Sequence, residues 1–145
     1  MPKKIIIGCD HVALDLKASI KKHIQENYGD IDQEDIGVHT TDSSNYPEVA
    51  DLVSKRVLTE EALGILICGT GVGMSIAANR HKGIRAVVCS EPYSSSLSKQ
   101  HNDSNILCMG SRVVGHELAK LIFDEWIKAD YEAGRHAIRV EMLDS

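Results

Sequence analysis

Aromatic side chains are scarce in this 145-residue chain: one tryptophan, one phenylalanine and four tyrosines, 4% in all. A core therefore has to be built from aliphatic residues. No Cys-x-x-Cys pair occurs among Cys9, Cys68, Cys89 and Cys108, so neither a cysteine zinc cluster nor a disulfide framework is expected. That usage fits a reduced, cytoplasmic setting. No apolar run approaches the ~20 residues needed to cross a bilayer, and Ile5-Ile6-Ile7 is too short for the apolar region of a signal peptide. Basic residues are in deficit, 16 against 21 acidic ones for a net charge of -5, which argues against a general nucleic-acid binder. A local anion site stays possible, since a few placed arginines outweigh a mean field. No His, Asp and Glu cluster has metal-ligand spacing, so neither a metal nor another cofactor is expected.

Hydrophobic residues at 43% and charged residues at 26% are ordinary for a globular chain of one domain, 1–145. Short apolar runs alternate with amphipathic stretches. The runs are Lys4–Gly8, a weaker Ile31–Gly37, Leu63–Cys68, Ile84–Cys89 and Asn105–Gly110. Three are almost wholly aliphatic, as strands buried on both faces of a parallel sheet must be. Between them, Leu16, Ile20 and Ile24 mark one helix. Val49, Leu52, Val53 and Val57 mark a second, with Pro47 suited to its first turn. A third helix is expected from about Gly73, a fourth after Pro92, and a fifth with Leu118, Leu121, Ile122 and Trp126 as its apolar stripe. This rhythm predicts an α/β fold: a three-layer α/β/α domain around an open, five-stranded parallel sheet. The charged tail at 130–145 falls outside the rhythm.

Ligands of such sheets bind beyond the carboxyl ends of the strands. Those ends carry Gly8-Cys9-Asp10-His11, Cys68-Gly69-Thr70-Gly71-Val72-Gly73, Cys89-Ser90-Glu91-Pro92 and Gly110-Ser111-Arg112. A thiol, a carboxylate, an imidazole, a glycine-rich loop and a guanidinium should share one edge. Three glycines in five residues let the backbone approach a ligand closely, and the helix after them offers unpaired N–H groups to an oxyanion or phosphate. A thiol placed there, as Cys68 is, favours thiolate, although a cysteine ending a strand is also a common inert core residue. Asp10 and His11 read either as a helix cap with a surface imidazole or as catalytic groups. A dinucleotide site is the rival: Gly69-x-Gly71 begins its fingerprint and Glu91 lies about where a ribose-binding acid would fall. Against it, Met74 replaces the third small residue and the loop follows the third strand. No phosphate-loop lysine follows the glycines.

His101 and Asn102 precede the fifth strand, at the amino edge opposite those loops. If His101 is catalytic, a neighbouring subunit is the route by which it reaches a site; otherwise the pair ends the fourth helix. Arg135 and Arg139, four apart, either clamp an anion or form a solvated basic face. His23, His39, His81 and His116 read as solvated or helix-end residues.

Taken together, these residues resemble the ribose-5-phosphate isomerase B family of sugar-phosphate isomerases. The matching blocks are Gly8–His11, Tyr46-Pro47, Cys68–Asn79, Gly83–Ala86, Cys89–Tyr93, Gln100–Asp103, Gly110–Arg112 and Gly134–His136. The resemblance implies a Rossmann-like or flavodoxin-like fold, a cofactor-free aldose–ketose isomerase, and a homodimer or homotetramer with sites shared between subunits. It implies that Cys68 moves the proton between C2 and C1 of ribose 5-phosphate through a cis-enediolate, with Gly69, Thr70, Gly71, Val72 and Gly73 holding the oxyanion. It implies that His101, aided by Thr70 and Asp10, opens the sugar ring. His11, Arg112, Arg135 and Arg139 would bind phosphate, and Asn102 a hydroxyl. Relatives with a glutamate base carry it where this chain has Met74, so Cys68 places the chain with the cysteine-base branch. Allose 6-phosphate and galactose 6-phosphate are the alternative substrates.

Overall fold

Five stretches of this chain can bury backbone only by pairing with one another, and in the computed structural model, which describes residues 1–145, they form one parallel sheet. The strands are β1 (Lys4–Cys9), β2 (Asp32–Asp35), β3 (Leu63–Cys68), β4 (Ala86–Val88) and β5 (Ile106–Gly110). The helices are α1 (Leu14–Asn27), α2 (Tyr46–Glu60), α3 (Val72–Ala78), α4 (Pro92–Asn102), α5 (His116–Lys128) and α6 (Ala137–Leu143), the last preceded by a 3-10 turn at Gly134–His136. The aliphatic strands β1, β3 and β5 lie at the centre. Their alternate residues face opposite ways. Ile5, Ile7, Ile65, Ile67, Leu107 and Met109 pack with α1 and α5. Ile6, Leu66, Cys68, Ile106 and Cys108 pack with α2 and α3.

The strand order is β2-β1-β3-β5-β4, which departs from the flavodoxin order 2-1-3-4-5 at one edge. Here β5 pairs with β3, and β4 is pushed outward. The reason is visible in the strands themselves. All five residues of β5 are buried, whereas β4 has three residues and leaves Val88 exposed, so β4 is the segment that tolerates an edge. In consequence β3 is flanked on both sides by strands whose following helices cover the other face. The carboxyl end of β3 therefore stands at a switch of helix face on either side, where ligands of such sheets bind.

Two helix stripes differ from expectation by one position. In α5 the buried residues are Ala119, Ile122, Phe123, Trp126 and Ile127, while Leu118 and Leu121 are exposed. In α2, Leu52 is exposed beside the buried Val53. A one-residue step turns a side chain by about 100° around a helix, which takes these leucines off the core face. Lys17 of α1 is buried and bonds Asp35 at 2.9 Å and the Val38 carbonyl at 2.6 Å. Lys21 reaches the same carboxylate at 2.8 Å, so the end of the weak strand β2 is held to α1. The tail packs back on the domain: the Glu132 N–H donates to the Gln100 carbonyl at 2.9 Å, and Arg85 bonds Asp144 at 2.8 Å.

Candidate active site

Cys68 is the last residue of β3, paired in register with Gly110 of β5. It is buried, 5% exposed. Its sulfur accepts the Gly71 N–H at 3.2 Å. The loop that follows is packed closely against β5 and the start of α2. Gly71 has φ +83 and lies so close to β5 that a Cβ there would stand 2.9 Å from the Met109 carbonyl carbon. Gly73 meets the Tyr46 ring, which would stand 2.6 Å from a Cβ at that position. The Ser111 N–H donates to the Cys68 carbonyl at 2.8 Å and the Arg112 N–H to the Gly69 carbonyl at 3.0 Å. Val72 donates to the Thr70 hydroxyl at 3.3 Å. The N–H groups of Gly69, Thr70 and Gly73 find no acceptor within the chain, and Thr70 is exposed. Three backbone donors beside a thiol can receive an oxyanion.

Asp10 and His11 lie on the neighbouring strand end. Asp10 is buried, receives the Val12 N–H at 3.1 Å, and its own N–H donates to the Ile67 carbonyl at 3.1 Å, which ties it to β3. His11 is bracketed by Ser44: its N–H donates to the hydroxyl at 3.2 Å, and Nδ1 lies 3.2 Å from the Ser44 N–H. Arg112 projects beside Gly69; a Cβ on that glycine would stand 3.5 Å from its guanidinium. The structure thus brings Asp10, His11, Cys68, the glycine loop through Gly73, and Arg112 to one edge.

The other three cysteines lie in the core. Burial pushes the Cys9 and Cys108 thiols up, and takes Cys89 to about 11, so thiolate is disfavoured at all three. Glu91 is the side-chain cap of α4, both oxygens accepting the Ser94 N–H at 3.0 Å, and Met74 is wholly buried core. Neither is placed as a dinucleotide site needs.

The second group gathers at the opposite edge. His101 and Asn102 end α4, just before β5 begins. The length of β5 alone, roughly 13 Å, separates that edge from Cys68. His101 is stacked on His136 of the tail, with ring centroids 4.2 Å apart and planes 12° apart. Asn102 lines two clefts along the outer strand β4, of about 300 and 430 Å³, the first shared with Arg85 and Leu143. Arg135 and Arg139 are exposed, and Arg139 reaches back to the Arg135 carbonyl at 3.5 Å. Within one chain, therefore, Cys68 and Thr70 do not meet His101, Asn102, Arg135 or Arg139.

Sequence reading missed three features. Ser44 and Glu132 carry no motif, and the Tyr46 ring over Gly73 is a contact between distant segments. It also found no metal-type cluster. Yet the fold places donor atoms of His101, Glu132 and His136 within 4.8 Å of one another, because the tail is bonded back onto α4. Three of the other histidines are not simply solvated: His23 bonds Asp124 at 2.7 Å, His81 bonds Asp51 at 2.9 Å and His116 bonds Ser19 at 2.6 Å. His23 and His116 tie α1 to α5, and His81 ties the turn after α3 to α2.

Residues 5–143 match the family described as Ribose/Galactose Isomerase. The chain is 55% identical over 142 residues to ribose-5-phosphate isomerase B of Escherichia coli (strain K12), covering 97% of this chain and 94% of that one. It is 40% identical over 134 residues to D-erythrulose-4-phosphate isomerase 2 of Mycolicibacterium smegmatis, covering 91% and 88%. The solved structure of Clostridium thermocellum ribose-5-phosphate isomerase B superposes with a TM-score of 0.93 at 44% identity, covering 97% and 95%.

Proposed function

The chain belongs to the ribose/galactose isomerase family, and from that premise we propose that it interconverts ribose 5-phosphate and ribulose 5-phosphate with Cys68 as the base. The observation that carries the reading is the Cys68 thiol set beside three backbone N–H groups with no acceptor of their own. As thiolate, Cys68 removes the proton from C2 of the open-chain aldose. The electron pair moves to the C1 oxygen and gives a cis-enediolate. The Gly69, Thr70 and Gly73 N–H groups stabilise that oxyanion, an effect worth ~3–4 kcal/mol per donor in other enzymes. The proton on the C2 hydroxyl passes to the C1 oxygen, and the Cys68 thiol returns its proton to C1. The product is the ketose, with no atom gained or lost. Acid, base and oxyanion donors all come from the chain itself.

Ring opening needs an acid–base group, and His101 has an imidazole one-third exposed at the end of α4. Since Cys68 and His101 lie at opposite edges of one chain, the reading requires a homo-oligomer in which a second copy brings its His101, Asn102, Arg135 and Arg139 to the Cys68 edge of the first. Arg112 and His11 then meet the phosphate from one side and the two tail arginines from the other. In that arrangement Thr70 and Asp10 assist ring opening.

The test is turnover of ribose 5-phosphate by the wild type and by Cys68→Ser, with chelator present and nucleotide absent. Turnover by the first and not the second is expected. Equal turnover by both removes Cys68 from its role, and no turnover by either moves the substrate to a six-carbon sugar phosphate. Mixing inactive Cys68→Ala and His101→Ala chains, dissociated and reassembled, checks the shared site. Recovery of activity is expected, and its absence from verified mixed oligomers means that both residues act within one chain.

A further inference from the structure

We propose that His101, Glu132 and His136 form an inhibitory binding site for a divalent transition-metal ion of the zinc class. His101 Nε2 lies 4.0 Å and His136 Nε2 3.8 Å from the same carboxylate oxygen, Oε1 of Glu132. The donor atoms of the three residues all fall within 4.8 Å of one another. An ion at their centre would draw each inward by about half an ångström to reach the ~2.0–2.2 Å of a zinc–nitrogen or zinc–oxygen bond.

The cluster is held by the backbone. The Glu132 N–H donates to the Gln100 carbonyl at 2.9 Å, one residue before His101, and the His136 N–H donates to the Ala133 carbonyl at 2.8 Å. Arg85 secures the far end of the tail through Asp144. Glu132 makes no ion pair with any lysine or arginine; the two imidazoles are its only charged-type neighbours.

Two imidazoles and one carboxylate are a donor set for zinc and its neighbours rather than for magnesium or calcium. Three protein ligands leave a fourth position for water. Binding requires the rings to fan out from their 12° stack so that both lone pairs converge. His101 and Glu132 have the room, with side chains 33% and 53% exposed. Arg135 and Arg139, on the same segment, oppose a cation and limit its affinity.

A bound ion takes the Nε2 lone pair of His101. This consequence rests on the ring-opening role given to His101 above: with the lone pair occupied, the imidazole can neither accept nor donate the proton that opens the sugar ring.

The experiment titrates Co²⁺ into the full-length protein, followed by visible absorption, for the wild type, Glu132→Gln and Cys68→Ser. Zn²⁺ inhibition of isomerisation and its reversal by chelator are measured alongside. One Co²⁺ per chain is expected, with ligand-field bands and no thiolate-to-metal charge transfer. Affinity should fall roughly tenfold or more in Glu132→Gln and stay the same in Cys68→Ser. Zn²⁺ should inhibit the wild type, and Glu132→Gln should resist by the same factor. Glu132→Gln keeps the backbone bond to the Gln100 carbonyl and a side chain of the same size at an exposed position, so this variant folds. Absent binding, binding indifferent to Glu132→Gln, or bands of thiolate character lost in Cys68→Ser would each overturn the site. Tight, Glu132-dependent binding to an enzyme that still turns over fully would overturn the inhibition and place the error in the role of His101.

Discussion

Gly110→Ala separates the loop geometry from general stability. Gly110 is the last residue of β5, directly opposite Cys68. A Cβ built there would stand 2.6 Å from the Thr70 carbonyl carbon and Cα and 2.7 Å from its oxygen, where ordinary contacts begin at 3.4 Å. The shortfall, 3.4 minus 2.6, is about 0.8 Å, and all three opposing atoms are backbone. Something must move. Strand β5 is fully buried, whereas Thr70 is exposed between two glycines, so the loop gives way. Overpacking of this kind costs ~1–3 kcal/mol, or roughly 2–4 °C in Tm per kcal/mol at this size. The rate suffers more. Displacing an oxyanion donor by about 1 Å can cost ~10²-fold, equivalent to ~2.7 kcal/mol of transition-state stabilisation. The assays are thermal unfolding and steady-state turnover of ribose 5-phosphate. Gly115→Ala serves as control, since a Cβ at that position meets nothing within 4 Å. A folded Gly110→Ala enzyme with wild-type kcat would refute the claim that the Thr70 backbone is held against β5 for catalysis.

Two further outcomes concern charge. Asp35→Ala leaves the buried Lys17 ammonium without its carboxylate, and removing one partner of such a pair costs ~3–5 kcal/mol. Burial works against the Asp35 carboxylate, yet Lys21, Lys17 and the Gly37 N–H hold it below its usual range; urea unfolding should show the loss, and a change under about 1 kcal/mol would mean that Lys17 reaches solvent. At the sheet's amino edge, Arg56 and then Lys4 hold both Glu34 and Glu60 down to about 2. A depressed carboxylate contributes stability in full above its ordinary value, near 4.5, and loses it as pH falls toward about 2. The wild type should therefore weaken across that window by more than Arg56→Ala does, as read from the pH dependence of Tm; parallel curves for the two proteins would show that the exposed cluster is screened by solvent.

Under the proposed function, two edges of one chain serve the same chemistry, and the division between them has a physical logic. The thiol and the oxyanion donors need rigid backbone, and they sit where β3 is clamped between β1 and β5. In that reading, ring opening and phosphate capture fall to long polar side chains on the end of α4 and on the tail, which only a few bonds hold. Under the proposed function, assembly of two copies is what joins the rigid half to the reaching half.

The sequence by itself determined the elements. Four of the five strands stand on aliphatic runs and the five principal helices stand where they were expected, because those patterns are local. Strand β2, Asp-Gln-Glu-Asp, has no aliphatic residue of its own and is held by pairing with β1 and by Lys17 and Lys21. The carboxyl-edge residues Asp10, His11, Cys68 and Arg112 were also legible, since a parallel sheet puts every strand end on the same side. Tertiary structure decided what depends on partners distant in the chain. It set β5 between β3 and β4, by how much of each strand could be buried. It turned Leu52, Leu118 and Leu121 outward, because a helix face is fixed by what it packs against rather than by its own hydrophobicity. It bonded the tail to α4 and so brought Glu132 and His136 to His101 across 31 and 35 residues of sequence separation; no periodicity records that approach, because it rests on single hydrogen bonds and an ion pair between segments that carry no common pattern.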